Sequence, residues 1–202
     1  MDVFFSELIG AIFQLILFLI IPFIWWLISA KKYINFLNWI GIRKIHHEGK
    51  WLNTILITLG VVFVYGLLTT ILITMYSDGI TAAGSNFSGM GILAIPAVLV
   101  YGFVRTGLSE ELFFRGFLLK RISSKWGFAI GNTVQAILFG AVHGIPFGIA
   151  THNIFVTIML TLLPGMLGWY QGWLNEKRCG ESIIPSWLLH GTINAIVAGL
   201  SL

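Results

Sequence analysis

The stretch FFSELIGAIFQLILFLIIPFIWWLIS, residues 4–29, holds one charged side chain, Glu7, in 26 residues. As an α-helix it is about 39 Å long at ~1.5 Å per residue, against a bilayer hydrocarbon core of about 30 Å. In lipid every backbone amide must be satisfied inside the protein, so a span is either a helix or a strand of a closed barrel. Barrel strands need only ~10 residues and alternate apolar with polar positions. This run does neither, and a membrane-spanning helix is predicted. A signal peptide would begin basic and have a shorter apolar core. Here Asp2 and Glu7 open the segment and Lys31-Lys32 follow it, which predicts an uncleaved anchor.

The rest of the chain has the same character. Of 202 residues, 57% are hydrophobic and 10% charged, with mean hydropathy +0.90. Soluble domains carry about 25% charged residues, so lipid is read as the solvent. The expected fold is an all-α, polytopic transmembrane helix bundle of about six spans, with six to eight compatible. After residues 4–29, the spans are placed at 51–76, 89–119, 127–145, 153–174 and 183–202. The third fits badly: its 31 residues would be about 46 Å long. Strong tilt, or a break near Gly107 and Ser109, would accommodate it. Two regions are expected, 1–104 with the N-terminal helices and a basic loop, and 105–202 with the catalytic core.

Loop charge orients these spans. Lys31, Lys32, Arg43, Lys44 and Lys50 follow the first, Lys120, Arg121 and Lys125 the third, and Lys177 and Arg178 the fifth; residues 77–88 and 144–152 have no Lys or Arg. Every second loop is basic, which places both termini outside, with the compact size pointing to a bacterial cytoplasmic membrane. Residues 31–50 are read as an amphipathic helix on the inner surface. The net charge of +4 belongs to this pattern and does not imply nucleic acid. The single cysteine, Cys179, excludes an internal disulfide and a cysteine metal cluster.

A charged side chain at mid-membrane costs about 2.5–3.5 kcal/mol on insertion scales, so such residues should face one another or water. Three segments carry them: Ser109-Glu110-Glu111-Leu112-Phe113-Phe114-Arg115, Phe139 to His143, and His190 to Asn194. Glu111 and Arg115 are four apart with the acid first, the favourable order for a helical ion pair. Glu110 is rotated by about 100° from Glu111 and is left to face a hydrated site as a general base. His190 and Asn194 share a face. They suit an oxyanion site, a metal, or a bond between helices. His143 alone reads as a structural histidine. Gln135 reads as a bond between helices, His152-Asn153 as a helix start and Pro164-Gly165 as a kink.

Glu110-Glu111-x-x-x-Arg115, Phe139-x-x-x-His143 and His190-x-x-x-Asn194, in this order on apolar helices, resemble the three motifs of the CAAX-protease and bacteriocin-processing (CPBP, or Abi) family of intramembrane proteases. Phe114-Arg115-Gly116 is also similar. The resemblance covers residues 105–200. It implies an intramembrane endopeptidase in which Glu110 and His143 activate water, His190 and Asn194 stabilise the oxyanion, and Glu111 and Arg115 support the helix. It implies a membrane-associated peptide substrate, prenylated or bacteriocin-like. No cofactor is required on the preferred reading; the alternative places zinc on Glu110, His143 and His190. The competing functions are a non-catalytic immunity or scaffold protein of the same family, and a small transporter, for which the chain lacks inverted repeats. His143 is expected near the outer end of its span and His190 nearer the inner side, a mismatch of depth that shifted span boundaries, or a tilt or break in the fourth helix, would remove.

Overall fold

The computed structural model describes residues 2–76 and 85–202. Residues 77–84, in the expected loop at 77–88, lie outside the described residues. Among the described residues, seven helices of five or more residues follow in order: α1 (Asp2–Ser29), α2 (Phe36–Ile40), α3 (Trp51–Met75), α4 (Ile92–Trp126), α5 (Phe128–Thr151), α6 (Ile154–Arg178) and α7 (Ile184–Gly199). The polytopic helical fold class is as expected. Among the described residues, five helices, α1 and α3–α6, are long and apolar enough to cross a membrane. The sixth expected span is α7, whose 16 residues make about 24 Å of helix.

The chain divides into two compact units interleaved in sequence: residues 1–44, 82–117 and 182–202, and residues 45–81 and 118–181. In the first, α1, α2, most of α4 and α7 pack together. Gly102, Gly107 and Gly191 bring the α4 and α7 backbones close. A Cβ on Gly102 would sit 2.8 Å from Ala195 N, and one on Gly107 would sit 3.2 Å from Gly191 Cα. Small residues at such crossings let membrane helices gain van der Waals contact where hydrophobic burial gives nothing. A side chain on Gly191 would enter the ring of Phe103. Gly191→Val should therefore cost about 1–3 kcal/mol, as overpacking does, measured as a lowered melting temperature in detergent. An unchanged melting temperature would refute the close crossing.

In the second unit α5 and α6 form a helical hairpin. Gly140, Gly144 and Gly148, four apart, lie against Thr161 and Thr157 of α6. Inward amides add directional bonds: Asn132 Nδ2 donates to Trp169 O at 2.9 Å and Gln135 Nε2 to Gly168 O at 3.0 Å. Asn153 caps α6 by accepting from Phe155 N and Val156 N. His152, at φ 51°, ends α5 in the left-handed region.

Polarity is distributed as lipid requires. Glu111, Arg115, Asn132, Gln135, Gln171 and Asn175 are fully buried, while Ile9, Phe13, Leu52 and Phe63 are exposed.

Several boundaries differ from the sequence reading. Helix α5 runs to Thr151 rather than stopping at 145, because its glycines serve as packing surface instead of breaks. Pro146 stays inside the helix. Helix α4 continues past Lys120 to Trp126. Lys120 is buried, and its ammonium pairs with Glu176 at 2.6 Å and donates to Glu181 O at 2.8 Å. The surface helix expected over 31–50 is reduced to Phe36–Ile40. Gly41, at φ 93°, ends it, and Trp39 and Ile40 are buried rather than laid on a membrane face.

Candidate active site

Helix α4 carries the paired acids without a break. Its local register is unusual: Val100–Leu108 and Leu112–Leu119 are π-helical, flanking one short α-helical stretch, Ser109–Glu111. The hydroxyl of Thr106 shows this register, donating to Tyr101 O five residues back at 2.9 Å and to Gly102 O at 3.2 Å. Bonding to i+5 widens the turn and shortens the rise per residue, so the segment is compressed where a break had been expected. Runs of π-helix are rare and concentrate at functional sites.

The two acids have different surroundings. Glu111 and Arg115 are both fully buried, with Arg115 Nη1 2.9 Å from Glu111 Oε1. Ser186 of α7 donates its hydroxyl to Glu111 Oε2. His190 Nδ1 lies 3.0 Å from Glu111 Oε1. An ionised carboxylate only accepts, so Nδ1 carries the proton in this bond. That assigns the tautomer: in the neutral ring Nε2 holds the lone pair. Nε2 lies 3.7 Å from Glu110 Oε2. Glu110 keeps 15% of its side chain accessible and His190 6%, whereas Glu111 keeps none. Of the two acids, Glu110 is the one with accessible side-chain surface, and its Oε2, the oxygen nearer His190, is buried.

Asn194 stands one turn beyond His190 and donates through Nδ2 to Thr106 Oγ1 at 2.8 Å. Trp187 Nε1 donates to Phe103 O at 2.7 Å. Gly116, which ends the Phe-Arg-Gly sequence, faces Ile40 O, where a Cβ would come within 2.5 Å.

The first unit thus brings together Glu110, Glu111, Arg115 and His190, with Asn194 on the same α7 face. His143 belongs to the second unit. It lies eight residues before the end of α5 at Thr151, so the expected position at a helix end does not hold. Its Nδ1 is 2.7 Å from Phe139 O, which places the ring proton there and leaves Nε2 as the basic nitrogen. Among the described residues, no group of three or more His, Cys, Asp or Glu side chains is placed to hold a metal ion.

The sequence profile of the type II CAAX prenyl endopeptidase Rce1-like family matches residues 92–196, more than half of the 202-residue chain. The chain belongs to this family. No curated protein and no solved structure matches it. The Rce1-like region opens at the first residue of α4 and closes within α7, so it holds Glu110, Glu111, Arg115, His143, His190 and Asn194.

Sequence reasoning missed four polar groups on the Rce1-like helices or beside them. Ser186 stands four residues before His190, and the spacing Ser186–His190–Asn194 was a signal available in the sequence. Thr106 orients Asn194. Arg105 pairs with Glu7 of α1 at 2.9 Å. Gln14 of α1 donates to Ser109 Oγ at 3.2 Å.

Proposed function

We propose that this chain is an intramembrane endopeptidase that hydrolyses a peptide bond of a membrane-associated substrate, prenylated or bacteriocin-like, using water activated by Glu110. The observation that carries this reading is the division of labour between adjacent acids. Glu111 is neutralised by Arg115 and orients His190, while Glu110 keeps part of its side chain accessible and turns its buried Oε2 towards His190 Nε2.

The chemistry follows from these positions. Glu110 accepts a proton from water as its oxygen attacks the carbonyl carbon, and the carbonyl oxygen becomes an oxyanion. His190 serves as an oxyanion donor only when Nε2 is protonated, because its Nδ1 proton is committed to Glu111. The proton received by Glu110 sits beside that nitrogen and can be passed to it, and from the pair to the departing amine. Asn194 supplies an amide donor on the same face. His143 keeps the role the resemblance implies, a second proton acceptor. The chemistry runs through the chain's own groups.

The test is hydrolysis of farnesylated C-a-a-X peptides and bacteriocin-precursor peptides by protein purified in detergent, with metal content measured on the same preparation. Cleavage is expected from wild type, with loss in His143→Ala and His190→Ala proteins of unchanged melting temperature. Binding without cleavage by wild type would assign the chain to an immunity or scaffold role.

A further inference from the structure

Of the two arginines nearest Glu110 on α4, Arg105 is the one whose side chain remains partly open. Arg115 is fully buried on Glu111, while Arg105 keeps 35% of its side chain accessible. A partly exposed guanidinium within an apolar span is costly and marks function more often than architecture. It is also held in place. Glu7 of α1, 9% accessible, takes Nη1 at 2.9 Å. Gly10, one turn further along α1, leaves the room the group needs: a Cβ there would lie 3.2 Å from both Cζ and Nε. One edge of the guanidinium is therefore fixed by a buried carboxylate, and the accessible part of the fork has donors left for a second oxyanion. Arginine forks suit planar carboxylates.

Arg105 also belongs to the neighbourhood of the proposed base. It precedes Glu110 by five residues, at most about 7.5 Å of helix. Any bond inside a C-terminal C-a-a-X motif is within three residues of the chain's terminal carboxylate, about 10 Å when extended. The two lengths are compatible once the arginine side chain is added.

We infer that Arg105, clamped by Glu7 in the slot at Gly10, binds the C-terminal carboxylate of the substrate and so sets which peptide bond reaches Glu110. This rests on the peptidase reading and adds to it a requirement for a free C-terminus. A phospholipid phosphate has similar chemistry, but the C-a-a-X carboxylate is brought within reach by the substrate itself.

The test compares one farnesylated peptide as free acid and as C-terminal amide. Binding is measured by fluorescence polarisation to the Glu110→Gln protein, and KM and kcat on wild type. The acid is expected to bind about ten- to hundredfold tighter, the value of a hydrogen bond to a charged group, with the difference in KM rather than kcat. Arg105→Gln should abolish the preference and Arg105→Lys restore part of it. Glu7→Gln, which removes a competing carboxylate but keeps the arginine, should tighten the acid and leave the amide unchanged. A purely structural Arg105–Glu7 pair predicts equal losses for both peptides in every variant, and that result overturns the inference. Equal affinity of wild type for acid and amide overturns it too, as does an Arg105→Gln effect that follows the anionic lipid content of the micelle and not the peptide terminus. The binding arm needs no hydrolysis, so absent cleavage with intact acid preference would sink the peptidase reading alone.

Discussion

Replacing Glu110 by glutamine is expected to lower kcat for peptide hydrolysis by about 10²- to 10⁴-fold, the usual contribution of a positioned general base, while leaving the protein folded. Glutamine has nearly the same shape and can still occupy the space beside His190 Nε2, 3.7 Å away. It cannot accept a proton from water. Because the ion pair of α4 is made by Glu111 and Arg115, removing the charge at position 110 does not leave that arginine without its carboxylate. KM should move little, since the carboxylate acts on water in the transition state and not on the bound peptide. The measurement is steady-state cleavage in detergent with a melting curve on the same sample. Activity within about threefold of wild type, far short of what a general base supplies, would remove Glu110 from the chemistry. Loss of activity with a collapsed melting curve would place it in the architecture instead.

The spans were legible wherever apolar residues run unbroken, as in α1 and α3, because lipid leaves the backbone no option but helix. The ends were misread where Gly and Pro were taken as punctuation. In α5, Gly144 and Gly148 are flat surfaces against Thr161 and Thr157, a use that hydropathy does not distinguish from a turn. The compression of α4 was not legible at all, since nothing in VYGFVRTGL announces i+5 bonding. The Glu111–Arg115 contact was legible in the sequence, because four-residue spacing with the acid first puts the two groups side by side. The tautomer of His190 was not, because it depends on α7 placing Nδ1 on Glu111. Arg105 was invisible for a similar reason: its partner, Glu7, lies 98 residues earlier in the chain.

Arg115→Ala should be the most damaging single change to the fold, costing about 3–5 kcal/mol, the loss measured when one member of a buried ion pair is deleted. Both side chains of the pair are fully buried, so the Glu111 carboxylate could not reach water and would keep only Ser186 and His190 as partners. Domains are stable by only about 5–15 kcal/mol, and little folded protein should be recovered. The site would suffer with the fold, since Glu111 also receives Ser186 and His190 Nδ1. An Arg115→Met, Glu111→Gln double variant separates these effects. With both charges gone the desolvation penalty disappears, and the double variant should melt well above Arg115→Ala. It should still cleave poorly, because a glutamine amide no longer commits the His190 Nδ1 proton as a carboxylate does. Thermal unfolding of all three proteins in one detergent decides the matter. Additive losses in the double variant would mean that Arg115 acts through packing alone, and the ion pair would then be incidental to the helix that carries Glu110.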